Sequence, residues 1–239
     1  MNMTASDTLA FLNEIKDGLN GIEGIDIAVC PTAVCIPVAA AVLADTKVGV
    51  GAQNMHWEEK GAYTGELSPT MVKEFCEYVI IGHSERRQMF GETDETVNKK
   101  AKAALANGIT PIIACGESLE QNKAGETHAF VSGQIRGAFE GISAADAATC
   151  VVAYEPIWAI GTGLSADPES AGGIIRDTVR GTLAELHGND VAQQIRIQYG
   201  GSVKPHNCAE YMPLPDMDGA LVVGASLKPD FIELVKAGV

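Results

Sequence analysis

Cationic side chains are scarce in this chain: 17 Lys and Arg stand against 31 Asp and Glu, a formal net charge of −14 over 239 residues. A surface of that sign repels nucleic-acid phosphates and anionic membrane leaflets, so neither is expected as a partner. It leaves a small anionic ligand open, because clustered backbone N–H groups hold a phosphate whatever the global charge. Paired cysteine motifs are lacking as well. Cys30, Cys35, Cys76, Cys115, Cys150 and Cys208 are scattered without a C-x-x-C pair, which argues against a zinc or redox site and for buried free thiols. Apolar runs are too short to cross a bilayer, and the run from Ile36 to Ala44 is interrupted by Pro37. The N-terminus has no basic region followed by an apolar core, so the cytoplasm is the expected compartment. Linkers, low-complexity tracts and charge blocks are also wanting, and residues 1–239 are read as one domain.

What is present is a repeated unit: a short β-branched apolar run, a Gly, Pro or polar loop, then a stretch at helical spacing. The runs are Ile25 to Cys30, Val48 to Ala52, Tyr78 to Gly82, Thr110 to Cys115, Cys150 to Glu155, Ile195 to Tyr199 and Ala220 to Val223. Helices are expected over Thr70 to Cys76, Thr93 to Asn107 and Pro168 to Leu186. Alternation of this kind argues an α/β fold with a parallel sheet covered by helices. A closed barrel of this type needs eight strands, and the runs number seven. The sequence opens on a helix signal, with Thr4 or Ser6 as N-cap and Leu9, Ala10, Leu12 and Ile15 at helical spacing. The expectation is a (β/α)8 barrel whose first β-strand is absent from the chain.

In such folds the active site lies at the C-terminal ends of the strands. Glu155, at a strand end before Pro156 and a Gly-bounded apolar loop, reads as a carboxylate that a mobile flap desolvates into a useful base; taken in isolation, a strand-end Glu is more often a residue that caps or salt-bridges the next helix. His83 precedes Ser84-Glu85 at a helix start, where the dipole favours a neutral imidazole donor, although a lone His is more often structural. The Gly200-Gly201-Ser202 and Gly224-Ala225-Ser226 loops leave N–H groups free for a dianionic phosphate.

Together these segments resemble the triosephosphate isomerase family from Asn2 to the C-terminus. The resemblance rests on Gly51-Ala52-Gln53-Asn54, Gly61-Ala62-Tyr63-Thr64-Gly65-Glu66, Gly82-His83-Ser84-Glu85-Arg86-Arg87, Ala114-Cys115-Gly116-Glu117, Tyr154-Glu155-Pro156-Ile157-Trp158-Ala159-Ile160-Gly161-Thr162-Gly163 and Tyr199-Gly200-Gly201-Ser202-Val203. It implies a TIM barrel that interconverts dihydroxyacetone phosphate and D-glyceraldehyde 3-phosphate, a step of glycolysis and gluconeogenesis, with no cofactor and no metal. Glu155 is then the base, His83 the electrophile, and Glu85 a buried carboxylate that positions. Gly161, Ser202, Val223 and Gly224 match the phosphate-binding positions. Pro156, Ile157, Trp158, Ala159, Ile160, Thr162 and Gly163 match the flap.

The same resemblance makes Gln53, Asn54, Thr64 and Gly65 part of a loop that enters a neighbouring subunit, implying a homodimer. Met55, Trp57 and Tyr63 on that loop are expected to expose apolar area. Three departures stand out. The asparagine and lysine of the family's first strand have no counterpart, since Met1-Asn2 matches only the last two residues of that motif. Val223 replaces the first glycine of a Gly-Gly pair, and Leu164 replaces a common lysine.

Overall fold

The computed structural model describes residues 1–160 and 166–239. Among them seven parallel strands form one curled sheet in strict chain order. They are β1 (Ala28–Val29), β2 (Gly49–Ala52), β3 (Tyr78–Ile81), β4 (Thr110–Cys115), β5 (Val151–Tyr154), β6 (Arg196–Tyr199) and β7 (Gly219–Ala220). The register is continuous from Ile81 opposite Ile113 to Cys115 opposite Tyr154 and Tyr154 opposite Tyr199. Strands of this kind present successive side chains to opposite faces, and both faces of a parallel sheet are covered. Ile80, Ile112, Val151 and Ala153 accordingly point to one side and make a small inner core. Val79, Ile81, Ile113, Val152 and Tyr154 point to the other side, into the main core beneath the helices.

β1 and β7 are shorter than their sequence runs. Each pairs on one flank only, β1 with β2 and β7 with β6, so the hydrogen bonds that would extend them have no second partner strand. The gap between them opens into a cavity of about 860 Å³ that reaches Ile80, Ile112 and Val151 from inside and His83 and Glu85 at its end.

The helix Ala5–Asn20 is capped by Thr4, whose hydroxyl accepts from the Asp7 N–H at 3.2 Å while the Asp7 carboxylate accepts from the Thr4 N–H at 2.9 Å. Ser6 is inside the helix. The buried stripe is Thr8, Leu12, Ile15 and Leu19; Leu9 and Ala10 are exposed, because each lies off that stripe at about 100° per residue. Fully burying Ile15 and Leu19 contributes about 1.5–3 kcal/mol each. The helix expected over Pro168 to Leu186 is three segments, Pro168–Gly173, a π-helical turn Ile174–Arg180 and Gly181–His187. Weak helix formers, Gly172, Gly173 and Gly181, flank the wider π turn.

Five of the six thiols are buried and Cys30 is half-buried; all are free. Among the described residues no helix is long and apolar enough to cross a membrane.

Candidate active site

β3 is followed at once by Gly82, held at φ +72°. A Cβ there would meet the Ala114 carbonyl oxygen at 3.0 Å, so both the backbone angle and the space select glycine. The next residue, His83, is the N-cap of the helix Ser84–Phe90, and its Nδ1 accepts from the Glu85 N–H at 3.3 Å. That contact leaves the Nε2 edge facing the end of β5.

β5 delivers Glu155. Its N–H donates to the Cys115 carbonyl at 2.7 Å, and the Gly200 N–H donates to the Tyr154 carbonyl at 2.8 Å, so the backbone around Glu155 is stitched to the strands on both sides. The residue is 1% exposed. Its Oε1 lies 2.9 Å from His83 Nε2, and its Oε2 accepts from the Ser84 N–H at 3.2 Å. Two glycines clear the space. A Cβ on Gly116 would stand 1.7 Å from the Glu155 carbonyl oxygen, and one on Gly200 would stand 2.8 Å from Glu155 Cγ.

His83 binds its proton more tightly than an ordinary imidazole. Burial pulls its pKa down, but the Glu155 hydrogen bond and the charges of Glu155, Glu85 and Glu92 raise it by more. The Glu85 N–H on Nδ1 works against a second ring proton. The neutral imidazole expected from the helix dipole alone is therefore opposed by the carboxylate beside it.

Glu85 departs from expectation. Its side chain is 65% exposed and lies 3.9 Å from His83 Nδ1, because the first turn of its helix faces the open cavity. The buried carboxylate beside the site is Glu117, fully enclosed. It accepts from the Tyr154 hydroxyl at 3.1 Å, Trp158 Nε1 at 3.0 Å and Asn122 Nδ2 at 3.2 Å. Burial, and then the Glu117 charge, pushes the Tyr154 phenol well above its usual pKa.

Pro156 to Ile160 leave the strand as a short 3-10 turn, Ile157–Ala159, anchored by the Ile157 N–H on the Glu117 carbonyl at 3.2 Å. Gly161, Thr162, Gly163 and Leu164 lie outside the described residues. Ser202 follows β6 and Val223-Gly224 follow β7, the adjacent strand. The Ser202 carbonyl accepts from Asn207 Nδ2 at 3.1 Å, Val223 is 49% exposed, and Gly224 opens the short turn Gly224–Leu227. Among the described residues no hydrogen bond joins these three to Glu155 or His83.

A family model described as triosephosphate isomerase matches residues 1–238. The chain belongs to the triosephosphate isomerase family. Triosephosphate isomerase of Streptococcus equi subsp. zooepidemicus is 50% identical over 231 residues, 96% of this chain and 91% of that protein. Triosephosphate isomerase of Clostridium perfringens is 48% identical over 237 residues, 98% and 95% of the two chains. Triosephosphate isomerase of Lactobacillus delbrueckii subsp. bulgaricus is 47% identical over 231 residues, 96% and 91%. As a member of the triosephosphate isomerase family the chain is an enzyme, an isomerase on an α/β TIM barrel.

Asn54, Gln53, Thr64 and Gly65 lie on the loop after β2. Gln53 Nε2 donates to the Cys30 carbonyl at 2.8 Å, Thr64 is exposed, and Gly65 has φ +93° with open space around it. Met55 is fully buried rather than exposed, because it packs into the main core. Tyr63 is 44% exposed and stacks on His56, which stacks in turn on Trp57. Sequence reasoning assigned no role to Glu92 and Lys100, both buried and ion-paired at 2.9 Å. Lys100 shares the inward stripe Val97, Ala101 and Ala104 of the helix Asp94–Ala106, a spacing that was open to reading.

Proposed function

We propose that the chain interconverts dihydroxyacetone phosphate and D-glyceraldehyde 3-phosphate through an enediolate, with Glu155 as base and His83 as electrophile. A glutamate base beside a histidine electrophile is the known pattern of this enzyme family, not a deduction from these residues alone. The observation that carries the reading is the buried contact of Glu155 with His83 Nε2 at 2.9 Å, at the ends of β5 and β3. Glu155 Oε1 is engaged by His83 Nε2 and its Oε2 by the Ser84 N–H. A substrate carbonyl against His83 Nε2 takes over that donor and frees the carboxylate to move a proton between carbons. Loss of the Glu155 contact also removes the foremost of the contacts that raise the His83 pKa, which favours the neutral donor.

The phosphate is assigned to backbone N–H groups at Gly161, Ser202, Val223 and Gly224, the family positions in this numbering. The side chain of Val223 stands where the family has glycine and narrows that seat. Closure of the segment from Pro156 to Gly163 excludes water, which protects the enediolate from losing phosphate and strengthens the electrostatics around Glu155. No cofactor or metal enters the scheme. The enzyme is placed in the cytoplasm, in triose phosphate metabolism.

A second reading, a phosphate-binding barrel of low turnover, is favoured by one observation. Among the described residues the cationic side chains lining the cavity are Arg86 and Arg196; Arg86 is held by Glu92 and Arg196 by Asp26, each at 2.7 Å. Neither is free to meet charge developing on a substrate oxygen, a contribution on the order of 3 kcal/mol for a single oxyanion donor. A coupled isomerase assay and a phosphoglycolate titration separate the two. Turnover abolished by Glu155→Gln supports the isomerase; phosphoglycolate binding without turnover supports the second reading; neither signal defeats both.

We also propose a homodimer. Its support is the family's placing of the loop from Gln53 to Glu66 at a subunit contact, together with Met89 and Phe90, which are 72% and 67% exposed, apolar side chains of the kind an interface covers.

A further inference from the structure

Gly82, the residue before His83, is clamped at both of its polar atoms. Its N–H donates to Glu92 Oε1 at 2.9 Å, and its carbonyl accepts from Arg87 Nε at 2.7 Å. Glu92 is 8% exposed, and its other oxygen, Oε2, accepts from Arg86 Nε at 2.7 Å and Lys100 Nζ at 2.9 Å. Lys100, 5% exposed, also donates to Asn54 Oδ1 at 2.7 Å. Asn54 belongs to the loop after β2, so one buried ammonium joins that loop to the peptide that carries His83.

We infer that Lys100 is a positioning residue: through Glu92 and Gly82 it sets the backbone from which His83 projects, and through Asn54 it links that setting to the loop Gln53 to Glu66. The argument is one of buried polar bookkeeping. A buried carboxylate needs every donor it has, and removal of one from a closed network moves the others. Without Lys100, the Glu92 carboxylate keeps Arg86 and the Gly82 N–H but loses its deepest cation, and it turns toward Arg86, which sits at the wetter edge with 25% of its side chain exposed. That rotation pulls on the Gly82 N–H. The Gly82 carbonyl is fixed by Arg87 Nε at 2.7 Å, so the peptide is tethered at both polar atoms and a pull on its N–H turns the backbone that leads into His83. The displacement passes to His83 Nε2, where a shift of about 1 Å costs on the order of 100-fold in an aligned reaction.

Burial weakens the Lys100 ammonium more than the Glu92 charge restores it. For Glu92, burial raises the pKa, but Lys100, the Gly82 N–H and Arg86 together lower it by more. The ionised Glu92 with a cation on Oε2 is the state these donors fit.

The role of His83 rests on the isomerase reading above; its placement does not, and the test reads both. Lys100→Met and Asn54→Ala are compared with the unaltered chain by the ring 15N and 1H resonances of His83 and by kcat and KM. The expected result for Lys100→Met is displaced His83 ring resonances together with about a 10-fold fall in kcat and KM within about twofold. Asn54→Ala is expected to displace the same resonances to a smaller extent. Folded Lys100→Met protein with unmoved His83 resonances overturns the inference. If Lys100→Met does not fold, Asn54→Ala decides it: moved resonances support the link and unmoved ones overturn it. Should no variant and no unaltered chain turn over, the isomerase reading fails while the resonances still report on Lys100.

Discussion

Gly116 passes so close to Glu155 that a Cβ on it would sit 1.7 Å from the Glu155 carbonyl oxygen. The backbone that carries the base fits only beside a residue without a side chain. Backbone cannot step aside as a flexible side chain does, so Gly116→Ala is expected to cost about 3 kcal/mol or more. Gly133, exposed on the helix Thr127–Phe139 with nothing within 4 Å of a Cβ, is the control: Gly133→Ala is expected to stabilise by about 0.5–1 kcal/mol. Urea midpoints of the two variants check the contrast, and equal midpoints would falsify the close approach.

The His83 and Glu92 shifts act on stability at opposite ends of the pH scale. The His83 pKa is raised from 6.5, so its contribution is fully present below about 6.5 and is lost as pH rises through the folded value. The Glu92 pKa is lowered from 4.5, so its contribution is present above about 4.5 and is lost as pH falls through the folded value. His83→Gln is expected to flatten the decline in stability as pH rises above about 6.5, and Glu92→Gln the decline as pH falls below about 4.5. Unfolding in urea across the pH range is the measurement, and unchanged slopes in both variants would contradict the assignment.

Burial pushes the thiols of Cys30, Cys115 and Cys150 up to about 12 and that of Cys76 to about 11. At pH about 8 their thiolate fraction is on the order of 10⁻³ or less. A thiol reagent is expected to modify these four slowly in the native protein and all six cysteines at once in denaturant. Rapid native labelling of Cys115, mapped by peptide mass, would show that this part of the barrel opens.

Phe90 is 67% exposed with Arg86 stacked 4.9 Å over its ring. If that face meets a second copy, Phe90→Glu buries a charge in the contact and is expected to halve the mass in sedimentation, from a dimer to the 25.1 kDa chain. An unaltered chain that sediments at 25.1 kDa removes the dimer altogether.

The sequence by itself determined the strand and helix alternation, because apolar runs at period two and stripes at helical spacing are local consequences of backbone geometry. It also marked His83 and Glu155, which end their runs and stand in motifs specific to the family. Tertiary structure alone decided the rest. Glu85 and Glu117 are both acids just beyond a strand, and only the packing of Tyr154, Trp158 and Asn122 makes the second the buried one. Leu9 reads as core until the helix docks on Leu12 and Ile15. Lys100 falls on the inward stripe of its helix, but the partners that make its burial tolerable, Glu92 and Asn54, come from other elements. Burial of a charge depends on partners brought by distant chain, and a linear pattern carries no record of which partners arrive.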